Sequence, residues 1–238
     1  MTDNEHSYKT AESCGGENHA SMKADEIILR LKSNWLLKLV LGVGLIVMFA
    51  VLYILPQRYP VFPVITMQPA WIDRMIPFMP GFVYLYESLY LIMPIAPWLM
   101  TSKNELARYS MGLVFMSSVG FCFFFFWPTL SPRPIDIHNA NMLYRNLITF
   151  DNELNAFPSL HVAYALFHSA CCHKVFRAGP RHNLLRWSIW IWALGISLST
   201  LPTKQHVFVD VVGGAILGLG SFAIYYRTIG CQGDLKQT

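Results

Sequence analysis

The chain has 238 residues, of which 54% are hydrophobic and 13% charged, and its formal net charge is +4. A water-soluble domain carries charge on about a quarter of its residues, so this composition excludes an ordinary soluble fold and points to an integral membrane protein. A balance this small and this scattered offers no basic stripe for nucleic acid, which is excluded as a partner.

Residues 1–30 are polar, with no apolar core of their own, and read as a disordered cytosolic tail rather than a cleavable signal peptide. The stretch "ADEIILRLKSNW" at its end reads as a short interfacial helix. Apolar runs near the length needed to span, about 20 residues, then recur at Trp35–Leu55, Gly81–Met100, Ser110–Pro128, Pro158–Phe176, Trp187–Leu201 and His206–Arg227. The expectation is an all-α bundle of six transmembrane helices forming one membrane domain over 31–228, with a second cytosolic tail at 229–238. Basic residues alternate by loop. Lys23, Arg30 and Lys32 precede the first run, Lys103 and Arg108 follow the second, Lys174, Arg177, Arg181 and Arg186 follow the fourth, and Arg227 and Lys236 follow the sixth. The positive-inside rule assigns those ends, and both termini, to the cytoplasm. The loops holding Arg58 and Arg74, Arg133 and Arg145, and Lys204 then face outside.

Chemistry-bearing residues collect on that outer face. "TLPTKQHVFVD" carries His206 and Asp210, and four-residue spacing on a helix puts both on one side, where the carboxylate can orient the imidazole as a base or nucleophile. "NAFPSLHVAYA" opens another helix, with Pro158 suited to a first turn, Ser159 to capping it and His161 just inside. The 45 positions between His161 and His206 allow one helix down and one helix up, returning both histidines to the same face. Helix N-termini bearing free N–H groups favour phosphate. "WPTLSPRPID" adds Arg133, a planar fork of donors for phosphate oxygens, and Lys204 adds a point charge. Cys14, Cys122, Cys171, Cys172 and Cys231 show no metal-ligand spacing. Glu87, inside the second span, reads either as a carboxylate paired with a neighbouring helix, the favoured alternative, or as one pointing to a cavity. Asp136, Asp151 and Glu153 read as residues of a solvated loop, and Gly213, Gly214, Gly218 and Gly220 as sites of close helix packing.

These motifs resemble those of the type 2 phosphatidic acid phosphatase superfamily, six-helix membrane enzymes. Its pattern is a Lys with Arg-Pro, then Pro-Ser-x-His, then Ser-Arg with a His six residues after the Arg and an Asp four further on. The chain has Arg133-Pro134, "PSLH" at Pro158 to His161, and Ser199 with His206 and Asp210. It departs from the pattern where the first-motif lysine falls at Phe126 and the third-motif arginine at Thr200. "TKQH", "WPT" and "IPFMPGFVYLYESLY" look like the branch that includes inositol phosphorylceramide synthases.

The resemblance implies that His206 attacks phosphorus to give a phosphohistidine while Asp210 holds its ring. It also implies that His161 exchanges protons with the leaving and attacking oxygens, and that Arg133, Lys204 and the backbone near Ser159 bind the phosphoryl oxygens. No cofactor or metal is expected. The expected substrate is a lipid phosphate or phospholipid, with water or an alcohol as acceptor, at the extracytoplasmic or lumenal face of a multi-pass protein. The remaining expectation, from another class, is a non-catalytic membrane scaffold or transporter.

Overall fold

A computed structural model describes residues 24–134, 137–151, 153–176 and 180–227. Residues 1–23 of the tail expected over 1–30, the whole tail expected over 229–238, and Lys23, Asp136, Arg177, Lys236, Cys14 and Cys231 lie outside the described residues, while 24–30 are helical rather than disordered. The expected interfacial stretch forms α1 (Ala24–Lys32), with apolar Ile27, Ile28, Leu29 and Leu31 exposed. Helix α2 (Trp35–Arg58) follows, apolar over nearly its whole length. Its one buried cation, Lys38, is satisfied by carbonyls, donating to Arg30 O and Trp98 O at 2.7 Å each. A charge so placed would otherwise be costly in a membrane.

Two of the loops expected on the outer face are joined by a two-residue parallel pairing of β1 (Ile65–Thr66) with β2 (Thr129–Leu130), Ile65 opposite Thr129. Between them come α3 (Trp71–Met75) and a helical stretch over Pro80–Leu99 broken into a 3-10 turn (Pro80–Phe82), α4 (Val83–Glu87), α5 (Leu89–Ile92) and α6 (Ile95–Leu99). Pro94 and Pro97 lack the N–H a continuous helix would use. Ser88 Oγ donates to Leu85 O at 2.6 Å near another break. Helix α7 (Lys103–Phe126) is capped by Ser102, α8 (Met142–Phe150) by Asn141 and α9 (Leu160–Val175) by Ser159. Helices α10 (Pro180–Ser199) and α11 (Phe208–Phe222) complete the bundle, and α11 runs into a π turn over Ala223–Arg227.

Among the described residues four helical stretches are long and apolar enough to cross a membrane: Trp35–Arg58, Pro80–Leu99, Lys103–Phe126 and Phe208–Tyr225. Helices α9 and α10 stand where the fourth and fifth spans were expected but do not meet that description. The reason for α9 is its place in the fold. It is only 16 residues long, every side chain from Leu160 to Cys172 is buried, and it packs against α5, α6, α7, α10 and α11. Such a central helix needs partners rather than lipid on its surface. Its polar groups are matched: His168 accepts or donates at 2.8 Å with Tyr109 Oη and binds Tyr164 O at 2.7 Å, and Tyr164 Oη meets Ser117 Oγ at 2.7 Å.

Helix α11 reaches α9 through glycine. A Cβ at Gly214 would stand 2.3 Å from Ser159 O, and one at Gly218 2.4 Å from Ala163 O. A Cβ at Gly213 would meet the Phe157 ring at 2.5 Å. Gly220 differs from the expectation, since a Cβ there meets nothing within 4 Å.

Candidate active site

The close approach of α11 to α9 brings their N-terminal ends together. Ser159 N–H donates to Asp210 O at 3.1 Å. Ser159 Oγ accepts from Val162 N–H at 3.3 Å as the cap of α9. His161 and Asp210 therefore hang from two helix ends joined backbone to backbone.

His206 is not on α11, as its spacing to Asp210 suggested. The helix begins at Phe208, Val207 is its cap residue, and His206 belongs to the preceding turn. The two still meet because Asp210, in the first turn, reaches back: its Oδ2 accepts from Val207 N–H at 3.0 Å and lies 3.5 Å from His206 Nδ1. That separation is longer than a hydrogen bond of about 3 Å, so a shift of roughly 0.5 Å completes it. Asp210 is fully buried, whereas the His206 side chain keeps 12% of its surface.

The His161 ring lies flat on Tyr86, with centroids 3.7 Å apart and planes 8° from parallel. Its Nε2 is 2.8 Å from Tyr86 O. A carbonyl only accepts, so Nε2 carries a proton and the neutral ring is left with a lone pair on Nδ1.

The cations come from three loops. Arg133, just after β2, donates through Nη1 to Asp151 O and through Nη2 to Gln205 Oε1, each at 2.7 Å, with Asp151 Oδ2 at 3.7 Å. Asp151 is thus no bystander on a solvated loop. Its Oδ1 also accepts from Tyr53 Oη at 2.8 Å and Gln57 Nε2 at 3.2 Å, tying the third loop to α2. Lys204 adopts a left-handed backbone, φ 55°, and its Nζ donates to Asp73 O at 2.9 Å and Ile76 O at 2.5 Å. Burial pulls its pKa below the ordinary lysine value, opposed in part by Asp73. Arg133, Lys204 and His206 line one cavity of about 360 Å³, together with Arg74, Asp73 and prolines 69, 132 and 134.

The helix end expected to offer free N–H groups is partly spoken for. Phe208 N–H donates to Asp73 Oδ1 at 2.8 Å and Val207 N–H to Asp210. Charge recognition in this cavity therefore falls to side chains. Among the described residues no three His, Cys, Asp or Glu side chains are grouped as metal ligands would be. Glu87 is half-buried and makes no hydrogen bond or ion pair with any described residue, so the structural pairing expected for it is not seen.

A model of the PAP2 superfamily matches residues 61–224, which contain every residue named in this cavity. The chain belongs to the PAP2 superfamily. No curated protein and no solved structure matches it. Membership of the PAP2 superfamily supports a phosphatase or phosphotransferase type of function.

The two positions where PAP2 motifs carry cations are both turned elsewhere in this chain. Thr200 is fully buried, with Oγ1 donating to Ser197 O at 2.7 Å. Phe126 is exposed and packs against Phe62 and Phe125. Sequence reasoning noted Arg74 and Asp151 only as loop residues and did not single out Tyr86, Asp73 or Gln205. The one available signal was position, since all but Tyr86 fall in loops assigned to the outer face.

Proposed function

We propose that this protein cleaves a lipid phosphate ester through a phosphohistidine at the extracytoplasmic or lumenal membrane surface, as a lipid-phosphate phosphatase or phosphotransferase. The observation that carries the reading is a single cavity lined by a partly exposed histidine and by cations, with a buried carboxylate outside its lining but beside that histidine. His206 Nε2 attacks phosphorus, and the bond from phosphorus to the leaving oxygen breaks. Asp210 stabilises the charge that develops on the ring and holds Nδ1–H toward itself. His161 takes up a solvent proton at its free Nδ1 and gives that proton to the leaving oxygen. Its freed lone pair then takes the proton of the acceptor hydroxyl, which attacks the phosphohistidine and releases His206. Arg133 and Lys204 offset the negative charge on the non-bridging oxygens, and Ser159 holds the helix end from which His161 projects.

With water as acceptor a monoester gives free phosphate and a diester gives a phosphate monoester; with a lipid or polyol hydroxyl the product is a new ester. Transfer, as in the inositol phosphorylceramide synthase-like branch, is favoured by Phe126 and Thr200, which leave the usual cation positions uncharged and so suit a monoanionic diester better than a monoester. The test is turnover of lipid phosphates and phosphodiesters by purified protein, with and without acceptor alcohols, alongside His206→Ala and His161→Ala. Trapping of a labelled, acid-labile phosphoenzyme that is lost in His206→Ala supports the reading, and activity should survive a chelator. Full turnover by His206→Ala refutes it. A protein that forms no phosphoenzyme and turns over none of the substrates is a scaffold or transporter.

A further inference from the structure

We infer that Arg74 is a phosphate-binding residue of this cavity, supplying part of the charge that the chain lacks at positions 126 and 200. The inference rests on reading the cavity as a phosphoryl site and adds a residue outside the family's motifs. Three cations line it, and they are not equivalent. Arg133 already spends donors on Asp151 and Gln205. Lys204 spends two of its three on the carbonyls of Asp73 and Ile76. Arg74 is exposed, and its guanidinium makes no hydrogen bond or ion pair with any described residue.

Its position is held from both sides. The neighbouring Asp73 carboxylate accepts from Ala70 N–H at 2.8 Å and from Phe208 N–H at the start of α11 at 2.8 Å. Lys204 clamps two carbonyls of the same short helix. The loop carrying Arg74 is thereby fastened to the turn carrying His206. A guanidinium so placed offers a bidentate face to two phosphoryl oxygens at no cost of breaking an existing pair. It also decides the charge of the cavity. Arg74, Arg133 and Lys204 against Asp73 leave a net charge of about +2, which falls to about +1 without Arg74. The dianionic monoester should feel that loss more than the monoanionic diester.

The experiment compares the full-length wild type with Arg74→Ala and Arg74→Lys in detergent. It measures binding of inorganic phosphate and orthovanadate by thermal shift, and kcat and KM for a lipid phosphate monoester and a phosphodiester. Arg74→Ala should weaken phosphate and vanadate binding by roughly tenfold to a hundredfold. It should raise KM for the monoester more than for the diester, and Arg74→Lys should recover part of the loss. Arg74→Ala with wild-type phosphate affinity and an unchanged monoester-to-diester ratio overturns the inference. A wild type that turns over no phosphate ester refutes the broader reading of the site instead, while the phosphate-binding arm still decides the role of Arg74.

Discussion

Replacing Gly214 by alanine adds one methyl group where α11 crosses the capped end of α9. The new Cβ would lie 2.3 Å from Ser159 O and 3.0 Å from Val162 Cβ. Contact between a carbon and an oxygen wants a little over 3 Å, so the helices must separate by about 1 Å, and the obstacle is backbone that cannot rotate away. Overpacking of this kind costs about 1–3 kcal/mol, or several degrees in Tm at about 2–4 °C per kcal/mol for a chain of this size. The displaced carbonyl is that of Ser159, the residue whose N–H donates to Asp210 O, so His161 moves relative to His206, and a misplacement of about 1 Å can cost roughly 100-fold in rate. Thermal unfolding and turnover of Gly214→Ala in detergent measure both effects. Gly220→Ala is the control. Its Cβ meets nothing within 4 Å, and alanine is the better helix former by about 1 kcal/mol, so it should be neutral or slightly more stable. Wild-type Tm and turnover in Gly214→Ala, or equal damage in both variants, would refute the packing argument.

Asp210→Asn keeps an acceptor for Val207 N–H but removes the charge behind His206, so it should fold normally and lose roughly 10⁴-fold in kcat, as wrong-tautomer variants do; Tm and single-turnover phosphoenzyme formation check the two halves. Thr200→Arg, which returns the residue of the family motif, should destabilise the protein rather than improve monoester turnover, because Thr200 is fully buried and bonded to Ser197 O; a stable variant with faster monoester cleavage contradicts this. For topology, cysteine at exposed Asn139 in a cysteine-free background should react with an impermeant reagent from outside, and cysteine at exposed Lys103 only after permeabilisation. The reverse pattern would invert the orientation, and labelling of both from one side would break the model.

The motifs themselves were legible because each is local chemistry: Ser159 caps the helix whose first turn holds His161, and Asp210 lies within reach of His206. So were the apolar runs of α2, α7 and α11, since a hydrophobic stretch of spanning length is a property of the chain alone. Even so, the right pairing came with the wrong geometry. His206 and Asp210 meet through a carboxylate reaching back past a helix start, a choice made when Asp73 and Asp210 took the N–H groups of Phe208 and Val207.

Everything that depends on contact between distant segments was decided by the tertiary structure. Helix α9 is enclosed by other helices, and no periodicity announces that. Asp151 orients Arg133 only because the third loop folds back onto Tyr53 and Gln57 of α2. Tyr86 sets the proton on His161 across 75 residues of chain. Arg74 enters the cavity because Lys204 and Asp73 pin its loop there. Sequence determines which groups can ionise, cap or span; which of them share a cavity is set by how the outer loops close over the two helix ends, since charge acts through space and not along the chain.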